Sequence, residues 1–333
     1  MNIHAIKQKL KSNEYDFLRN NKKLNNNICL LTLGGSYAYG TNNLDSDIDI
    51  RGIYLPSKED ILSMNYDNKP FENHDTDTVI YPLKQIFKLL CNSNPNTIEI
   101  LGTLDEQLFV CNEYGKLIRD NVDLFLSKRA ADSFSGYATS QFHRLYNALY
   151  HSDNDKKEQH IMESIQKRML TFNDRYSQTK KDNINIYIDD SKKENLNKEI
   201  FVDLNFNHYP LRDFRGLLSE MRETINDYNK IDHRNNKKDR KHLFKHAMHL
   251  IRLFLMGIDI LSGNGIKTYR EKDKQLLLDI RNEKYSFDEI FELYNKYQKE
   301  FKYVEKNTLL PDKPDYKKIN DLIIYINSKI LTQ

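Results

Sequence analysis

The sequence predicts an α+β protein, with a small mixed sheet in residues 1–110 and an all-helical domain in residues 111–333. Short apolar or alternating runs bounded by Gly, Asn and Pro are confined to the first 110 residues, and such runs are typical of strands. From residue 111 onward, apolar residues recur every three or four positions, which is the period of amphipathic helices. A polar interval near 180–209 interrupts the helical pattern.

Three strands are predicted in the N-terminal part. Ile28–Leu33 is an apolar run that ends at two glycines, and Asp47–Tyr54 alternates polar and apolar residues. Asp77–Tyr81 runs up to a proline and is followed by predicted helices at Leu83–Leu90 and Thr97–Leu101.

The helical period predicts helices near residues 114–125, 129–150, 158–178, 211–229, 239–262, 287–302 and 315–330. The interval Lys180–Tyr209 is rich in Asn, Lys and Asp, and contains strand-like pieces at Ile184–Ile188 and Phe201–Leu204. We interpret it as a polar hairpin or a mobile excursion inserted in the helical domain.

The charge balance excludes a globally basic nucleic-acid-binding protein. The chain has 51 Lys and Arg against 48 Asp and Glu, a net charge of +3, so any polyanion site must be a local patch. Its three cysteines form no CxxC pair, which favours a reducing compartment. No apolar run approaches the ~18 residues of a membrane span, and the first residues lack the apolar core of a signal peptide. We therefore expect a cytoplasmic protein without membrane association.

The first functional motif is Gly34-Gly35-Ser36, directly after the first predicted strand. Glycine lets the backbone approach a ligand closely, and backbone N–H groups at a turn that opens a helix form an anion cradle. Gly34, Gly35 and Ser36 are therefore predicted to bind the triphosphate of an NTP.

The second motif is a pair of aspartates on the second predicted strand. Asp47 and Asp49 are two residues apart, so both carboxylates lie on one face of the strand. Adjacent carboxylates repel unless a cation neutralises them, and Mg²⁺ prefers such oxygen ligands and leaves positions for substrate phosphates. Two ions, Mg²⁺ or Mn²⁺, would clamp the attacking and leaving oxygens of a phosphoryl displacement.

Together, the Gly-Ser turn and the Asp-x-Asp strand resemble the signature of the DNA polymerase β-like nucleotidyltransferase superfamily. The resemblance implies a third carboxylate on a later strand, for which Asp75, Asp77 and Glu99 are candidates. We favour Asp77, because it opens the third predicted strand, whereas Asp75 is expected in a loop and Glu99 on a helix. In the superfamily this residue binds the catalytic metal and helps to deprotonate the attacking hydroxyl.

A polar stripe is predicted on the helix near residues 239–262. At ~100° per residue, five residues fall within an arc of about 120°: His242, Lys245, His246, His249 and Arg252. We predict that this stripe, above all its last four residues, forms a wall of the nucleotide site. A solvated helix face or core histidines are the alternative, and zinc is disfavoured because no Cys or carboxylate shares the face.

Longer segments carry a narrower resemblance over nearly the whole chain. They occur at residues 34–54, 94–101, 135–145, 245–257, 276–290 and 310–316. In content and order they are similar to the RNA-ligase-associated, polymerase β-like nucleotidyltransferases of phages and bacteria. The resemblance implies a polymerase β-like nucleotidyltransferase palm followed by a helical domain, with a role in RNA end repair or tRNA modification.

These observations predict an enzyme that transfers a nucleoside monophosphate from an NTP to a hydroxyl and releases pyrophosphate. The expected acceptor is an RNA 3′ end, with tRNA the leading candidate. Two alternatives stay open: nucleotidylation of a protein or small molecule, and a non-catalytic module that senses nucleotides or RNA. Arg144 and Arg281 are weaker candidates for phosphate contacts, and Tyr37 and Tyr39 are expected to pack beside the turn.

Overall fold

The computed structural model describes residues 1–44, 46–64, 68–150, 184–190, 198–212, 214–216, 218–219, 222 and 240–332. The chain divides into two compact units: residues 1–145 together with 240–333, and residues 146–239. The C-terminal helices thus share a unit with the N-terminal sheet. The predicted domain boundary at residue 110 stays a prediction.

In the described part of the first unit, five strands form a mixed sheet in the order β3-β4-β2-β1-β5. Their bounds are Ile28–Leu33 (β1), Ile50–Tyr54 (β2), Phe71–Asn73 (β3), Thr78–Pro82 (β4) and Leu108–Cys111 (β5). β2 and β4 are parallel, and the other pairs are antiparallel. The predicted α+β class is confirmed. The sequence analysis missed β3 and β5, because three and four residues are too few to display a period.

Strands β2 and β4 begin later than predicted. The register pairs Ile50 with Thr78, so Asp49 and Asp77 directly precede the two neighbouring strands. Asp77 has a left-handed backbone, with φ of +43°, and its carbonyl accepts a hydrogen bond from the Ile50 N–H at 3.2 Å. The prediction that Asp47–Asp49 belong to the strand is therefore wrong, and these residues form the lead-in to β2.

Helices alternate with these strands along the N-terminal half and predominate after it. In the N-terminal half they are Ile3–Lys9 (α1), Phe17–Asn20 (α2), Gly35–Tyr39 (α3), Lys58–Leu62 (α4), Leu83–Cys91 (α5), Pro95–Ile98 (α6), Glu113–Asp120 (α7) and Arg129–Tyr150 (α8). In the C-terminal part they are Arg240–Leu261 (α9), Lys274–Arg281 (α10), Phe287–Asn307 (α11) and Tyr316–Thr332 (α12). The helical prediction holds for α8, α9, α11 and α12, whereas the segment predicted at 114–125 divides into α7 and a short 3-10 helix.

Helix α9 forms the centre of the C-terminal packing. Its apolar side is buried and contacts α10 and α11. Phe244 stacks on Phe287 with ring centroids 4.5 Å apart, and Phe254 meets Phe301 edge-on at 5.7 Å. Such aromatic pairs favour one relative placement of the helices, so the polar side of α9 is held in a defined orientation.

The second unit contains an antiparallel pair, Ile184–Asp190 (β6) and Lys198–Leu204 (β7). These strands confirm the two strand-like pieces and the hairpin interpretation of the polar interval. The predicted helix at 158–178 lies outside the described residues. Of the segment predicted at 211–229, the residues described between 211 and 222 are mostly helical. Within the described ranges, no helix is both long and apolar enough to cross a bilayer.

Candidate active site

The side chains of Asp49, directly before β2, and Arg51, in β2, lie against the glycine turn between β1 and α3. A Cβ on Gly35 would lie 1.9 Å from Asp49 Oδ2, and one on Gly34 would lie 2.7 Å from Arg51 Cγ. Gly35 also has a left-handed backbone, with φ of +52°, which favours glycine. The missing side chains therefore admit Asp49 and Arg51, in addition to any approach of a ligand to the turn.

The backbone N–H groups of both glycines have partners within the chain. The Gly34 N–H donates to the Asp49 carbonyl at 2.8 Å, and the Gly35 N–H lies within hydrogen-bond reach of the Glu99 carboxylate. Ser36 follows in the first turn of α3 and is half-buried. Triphosphate binding by Gly34, Gly35 and Ser36 stays a prediction, and at the two glycines a phosphate would compete with these partners.

Asp49 and Asp77 come together at the start of β2 and β4, with the guanidinium of Arg51 between them. Arg51 Nη2 lies 3.1 Å from Asp49 Oδ1 and 3.0 Å from Asp77 Oδ1. Its Nη1 donates to the carbonyls of Asp77, at 2.5 Å, and Ile50, at 3.0 Å. We call Asp49 and Asp77 the acid pair.

The two carboxyl groups of the acid pair titrate differently. Burial and the neighbouring Asp77 raise the pKa of Asp49 to about 7, although Arg51 opposes this rise. Burial also acts to raise the pKa of Asp77, but the hydrogen bond from Asp49 and the charge of Arg51 lower it below its ordinary value. Of the two carboxyl groups, Asp49 is therefore the one that takes up a proton first as the pH is lowered.

Asp47 is exposed in the lead-in to β2, whereas Asp49 is half-buried. Among the residues that the structure describes, no group of three or more His, Cys, Asp or Glu is arranged to hold a metal ion. The acid pair itself suits Mg²⁺, because one or two carboxylates together with substrate phosphates are its usual ligands. Metal binding by Asp47, Asp49 and Asp77 stays a prediction.

Glu99, the alternative third carboxylate, has partners under the glycine turn. It is 6% exposed and accepts a hydrogen bond from the Tyr39 hydroxyl. Burial raises its pKa, while the charge of Arg252 and the bond from Tyr39 hold it down. Glu99 begins a 3-10 helix, Glu99–Gly102, rather than a strand. Tyr37 and Tyr39 are both buried beside the turn, in agreement with the packing expected for them.

The polar stripe of α9 faces this region. The Arg252 guanidinium lies 3.7 Å above the centroid of the Tyr39 ring. The charge of Lys245 helps to lower the pKa of Asp77. Burial, followed by the charges of Arg252 and Lys245, lowers the pKa of His249 well below its ordinary value, so its imidazole is neutral.

The remaining two histidines of the stripe differ. His246 Nδ1 is 3.1 Å from Gln141 Oε1 on α8, whereas His242 is exposed near the helix start. Of the four stripe residues predicted to bind the nucleotide, Lys245, His249 and Arg252 are therefore grouped electrostatically around the acid pair and the turn. Their contact with a nucleotide stays a prediction.

Arg281 holds the loop that leads from α3 to Asp47. Its Nη1 donates to the Thr41 carbonyl at 2.6 Å, and its Nη2 lies 3.3 Å from Asn43 Oδ1 and 3.1 Å from Ser46 Oγ. The sequence analysis treated Arg281 only as a weak candidate for a phosphate contact. It missed this positioning role, because the bonds join residues 235 to 240 positions apart.

The segment that follows α9 forms hydrogen bonds to the backbone around Tyr39 and Glu99. Thr268 Oγ1 donates to the Glu99 carbonyl at 2.8 Å, and the Thr268 N–H donates to the Gly102 carbonyl at 3.2 Å. Arg270, buried between Asp259 and Asp273, donates its backbone N–H to the Tyr39 carbonyl at 3.4 Å. No sequence motif indicated this segment.

Comparisons with known proteins identify the family of the chain. The chain is 31% identical over 119 residues to an uncharacterized 38.9 kDa protein in the nrdC-mobD intergenic region of Enterobacteria phage T4. The match covers 32% of this chain and 35% of that protein, so the chain spans about a third of its relative's length. No solved structure matches. The model of the RNA repair pathway DNA polymerase beta family, RlaP, matches residues 6–325. The chain therefore belongs to this family of polymerase β-type nucleotidyltransferases, as its resemblance had indicated.

Proposed function

We propose that this protein transfers a nucleoside monophosphate from an NTP to the 3′ hydroxyl of an RNA, with tRNA as the leading acceptor. The observation that carries the proposal is the acid pair, two carboxylates at the starts of neighbouring parallel strands, beside the cations of α9. The family's link to RNA repair supports an RNA acceptor. The modest charge of +3 is consistent with local rather than global contacts to RNA.

In this proposal Asp47, Asp49 and Asp77 hold Mg²⁺ or Mn²⁺. The chemistry that such a cation supplies is neutralisation and polarisation of phosphate oxygens. The attacking hydroxyl forms a new O–P bond at the α-phosphorus, and the bond to the β-phosphate oxygen breaks, so that pyrophosphate leaves with the electron pair. The proton of the hydroxyl passes to the acid pair. Asp77 is the acceptor, because its side chain is 52% exposed against 19% for Asp49.

The stripe of α9 has a separate part in the proposal. A triphosphate brings several negative charges to a region that already holds the acid pair and Glu99. Lys245 is exposed on the side of Asp77 and is assigned to a phosphate. The neutral ring of His249 offers a hydrogen bond to a sugar or a phosphate. Arg252 is stacked on Tyr39 beside Glu99, so we assign it to fixing the turn.

The test uses each of the four α-³²P-labelled NTPs with Mg²⁺ and, as acceptors in separate reactions, cell lysate and total RNA carrying either a 3′ hydroxyl or a 3′ phosphate. We expect label only on RNA with a free 3′ hydroxyl. Asp49→Asn is expected to lower the initial rate by about 10³-fold or more while the NTP still binds. Asp105→Asn is the matched control, because it removes one surface carboxylate paired with Arg119.

Three outcomes would contradict parts of the proposal. Label on a protein band in a lysate would replace the RNA acceptor with a protein. Absence of label in every lane, with NTP still bound, would support a sensing module instead. An Asp49→Asn variant as active as Asp105→Asn would remove the acid pair from the chemistry.

A further inference from the structure

Arg51 bridges the two carboxyl groups of the acid pair. One nitrogen of its guanidinium contacts both carboxylates, at 3.1 and 3.0 Å, and the other bonds two backbone carbonyls. Its stem lies across Gly34, at the place where a side chain of residue 34 would begin. The side chain is only 17% exposed. Arg51 is thus anchored at its stem and at one nitrogen, while the other nitrogen binds the acid pair.

This arrangement differs from an ordinary ion pair of the same protein. Arg119, with a side chain 19% exposed, pairs with a single carboxylate, Asp105, that is 88% exposed. Because water solvates the exposed Asp105 carboxylate even without Arg119, such a pair contributes little to the stability of the fold. Asp49 is much less exposed, and two adjacent carboxylates repel each other unless a cation lies between them. Arg51 supplies that charge in the chain itself.

The two carboxylates that Arg51 binds are also assigned to metal binding in the proposed function. A divalent cation brought to Asp49 and Asp77 would compete with the guanidinium for these carboxylates and would be repelled by its charge. A nucleotide changes this balance, because the guanidinium fork fits phosphate oxygens as well as carboxylate oxygens. The displaced guanidinium then has a new anionic partner.

We propose that Arg51 is the resident counter-ion of the acid pair and exchanges its carboxylate partners for the phosphates of the incoming nucleotide. Arg51 thereby couples metal binding to nucleotide binding: metal alone binds weakly because it must displace Arg51, and metal with nucleotide binds well. Linkage requires the coupling to be reciprocal, so metal strengthens nucleotide binding by the same factor. This inference rests on the proposed function and adds to it the residue that makes metal binding depend on nucleotide binding.

The test measures metal binding directly, without turnover. Mn²⁺ is titrated into the full-length protein and free Mn²⁺ is followed by electron paramagnetic resonance, first alone and then with each of the four α,β-methylene NTPs. In Arg51→Gln we expect Mn²⁺ alone to bind about tenfold more tightly than in the wild type, since a hydrogen-bonded charge no longer competes. The coupling between Mn²⁺ and the analogue should fall by about the same factor. The analogue also binds Mn²⁺ in solution, but this binding is the same in both titrations and cancels when the wild type and the variant are compared.

Two controls separate competition from a general change of charge. Arg119→Gln removes an arginine of similar exposure far along the chain and should leave Mn²⁺ affinity unchanged. Lys245→Gln removes a nearby positive charge that acts on Asp77 from another element, and should tighten Mn²⁺ binding by about twofold or less. Arg51→Lys keeps the charge but lacks the fork, so its coupling should lie between those of wild type and Arg51→Gln.

The inference is overturned if Arg51→Gln binds Mn²⁺ alone no more tightly than wild type, or if its coupling is unchanged. Thermal melts establish that each variant is folded. If Arg51→Gln does not fold, the test is the coupling in Arg51→Lys, which must be lower than in the wild type. If the wild type transfers label and both Arg51 variants have the same coupling as the wild type, this inference alone is refuted. A wild type that binds neither Mn²⁺ nor any analogue would refute the proposed function as well.

Discussion

The carboxylate of Asp49 lies against the α-carbon of Gly35, where any side chain at residue 35 would begin. The backbone of the turn after β1 therefore packs against the Asp49 side chain in the lead-in to β2. The Asp49 carbonyl also accepts a hydrogen bond from the Gly34 N–H. One glycine turn thus fixes the place of a predicted metal ligand. Asp47, two residues before Asp49, is exposed.

Gly35→Ala is expected to disable the site. The new Cβ would be 1.9 Å from Asp49 Oδ2 and would also strain a backbone with φ of +52°. We expect the free energy of unfolding to fall by about 1–3 kcal/mol and nucleotidyl transfer to fall by about 100-fold or more. Urea unfolding and the labelling assay measure the two effects.

Gly265→Ala is the matched control, because Gly265 also has a positive φ, +72°, but has open space around its α-carbon. Gly265→Ala should lower the free energy of unfolding by about 1 kcal/mol and leave nucleotidyl transfer unchanged. Equal losses of transfer in both variants would show that the contact with Asp49 is irrelevant to the chemistry.

Arg281→Gln is expected to lower kcat while leaving the protein folded. Without the bonds to Thr41, Asn43 and Ser46, the loop that precedes Asp47 loses its anchor on α10. We expect a loss of about tenfold or more in kcat, a smaller change in KM for NTP, and a higher Mg²⁺ requirement. Arg240→Gln, which breaks an exposed pair with Glu283, is the control. Unchanged kcat and Mg²⁺ dependence in Arg281→Gln would refute the positioning role.

Asp77→Asn and Glu99→Gln distinguish the two candidates for the third carboxylate. Asp77 is half-exposed, so its replacement should change the free energy of unfolding by about 1 kcal/mol or less and abolish transfer. Glu99 is buried beside Tyr39 and Arg252, so Glu99→Gln should destabilise the fold by about 2–4 kcal/mol. The reverse pattern, with a stable but inactive Glu99→Gln and an active Asp77→Asn, would make Glu99 the third carboxylate.

His249 should make stability depend on pH. Burial and neighbouring cations lower its pKa in the folded protein, whereas the unfolded chain has the ordinary value near 6.5. The unfolded state therefore binds more protons below about pH 6.5, and stability falls as the pH is lowered through that value. We expect the urea midpoint of His249→Gln to fall less than that of wild type between pH 8 and pH 5.5. Parallel slopes for the two proteins would contradict the assignment.

Local features of the sequence were sufficient for the main elements and for the acid-bearing motif. The apolar run of β1, the Gly-Gly-Ser turn and the alternation through β2 are properties of neighbouring residues, so their period and turn chemistry are readable without a structure. The predicted strand was too long at its start, because Asp47 and Asp49 lie before β2. The polar face of α9 was predicted because helical geometry fixes which residues share a side.

The tertiary structure alone decided which of these groups meet. The partnership of Asp49 with Asp77 depends on β2 pairing in parallel with β4, and Arg51 lies between them only because of that pairing. The bonds of Arg281 to the loop after α3, and of Tyr39 to Glu99, join residues distant along the chain. A sequence pattern reports on neighbours three or four residues apart, whereas such contacts are set by how whole strands and helices pack. The sequence by itself therefore determined the chemical groups and their local elements, and packing determined their partners.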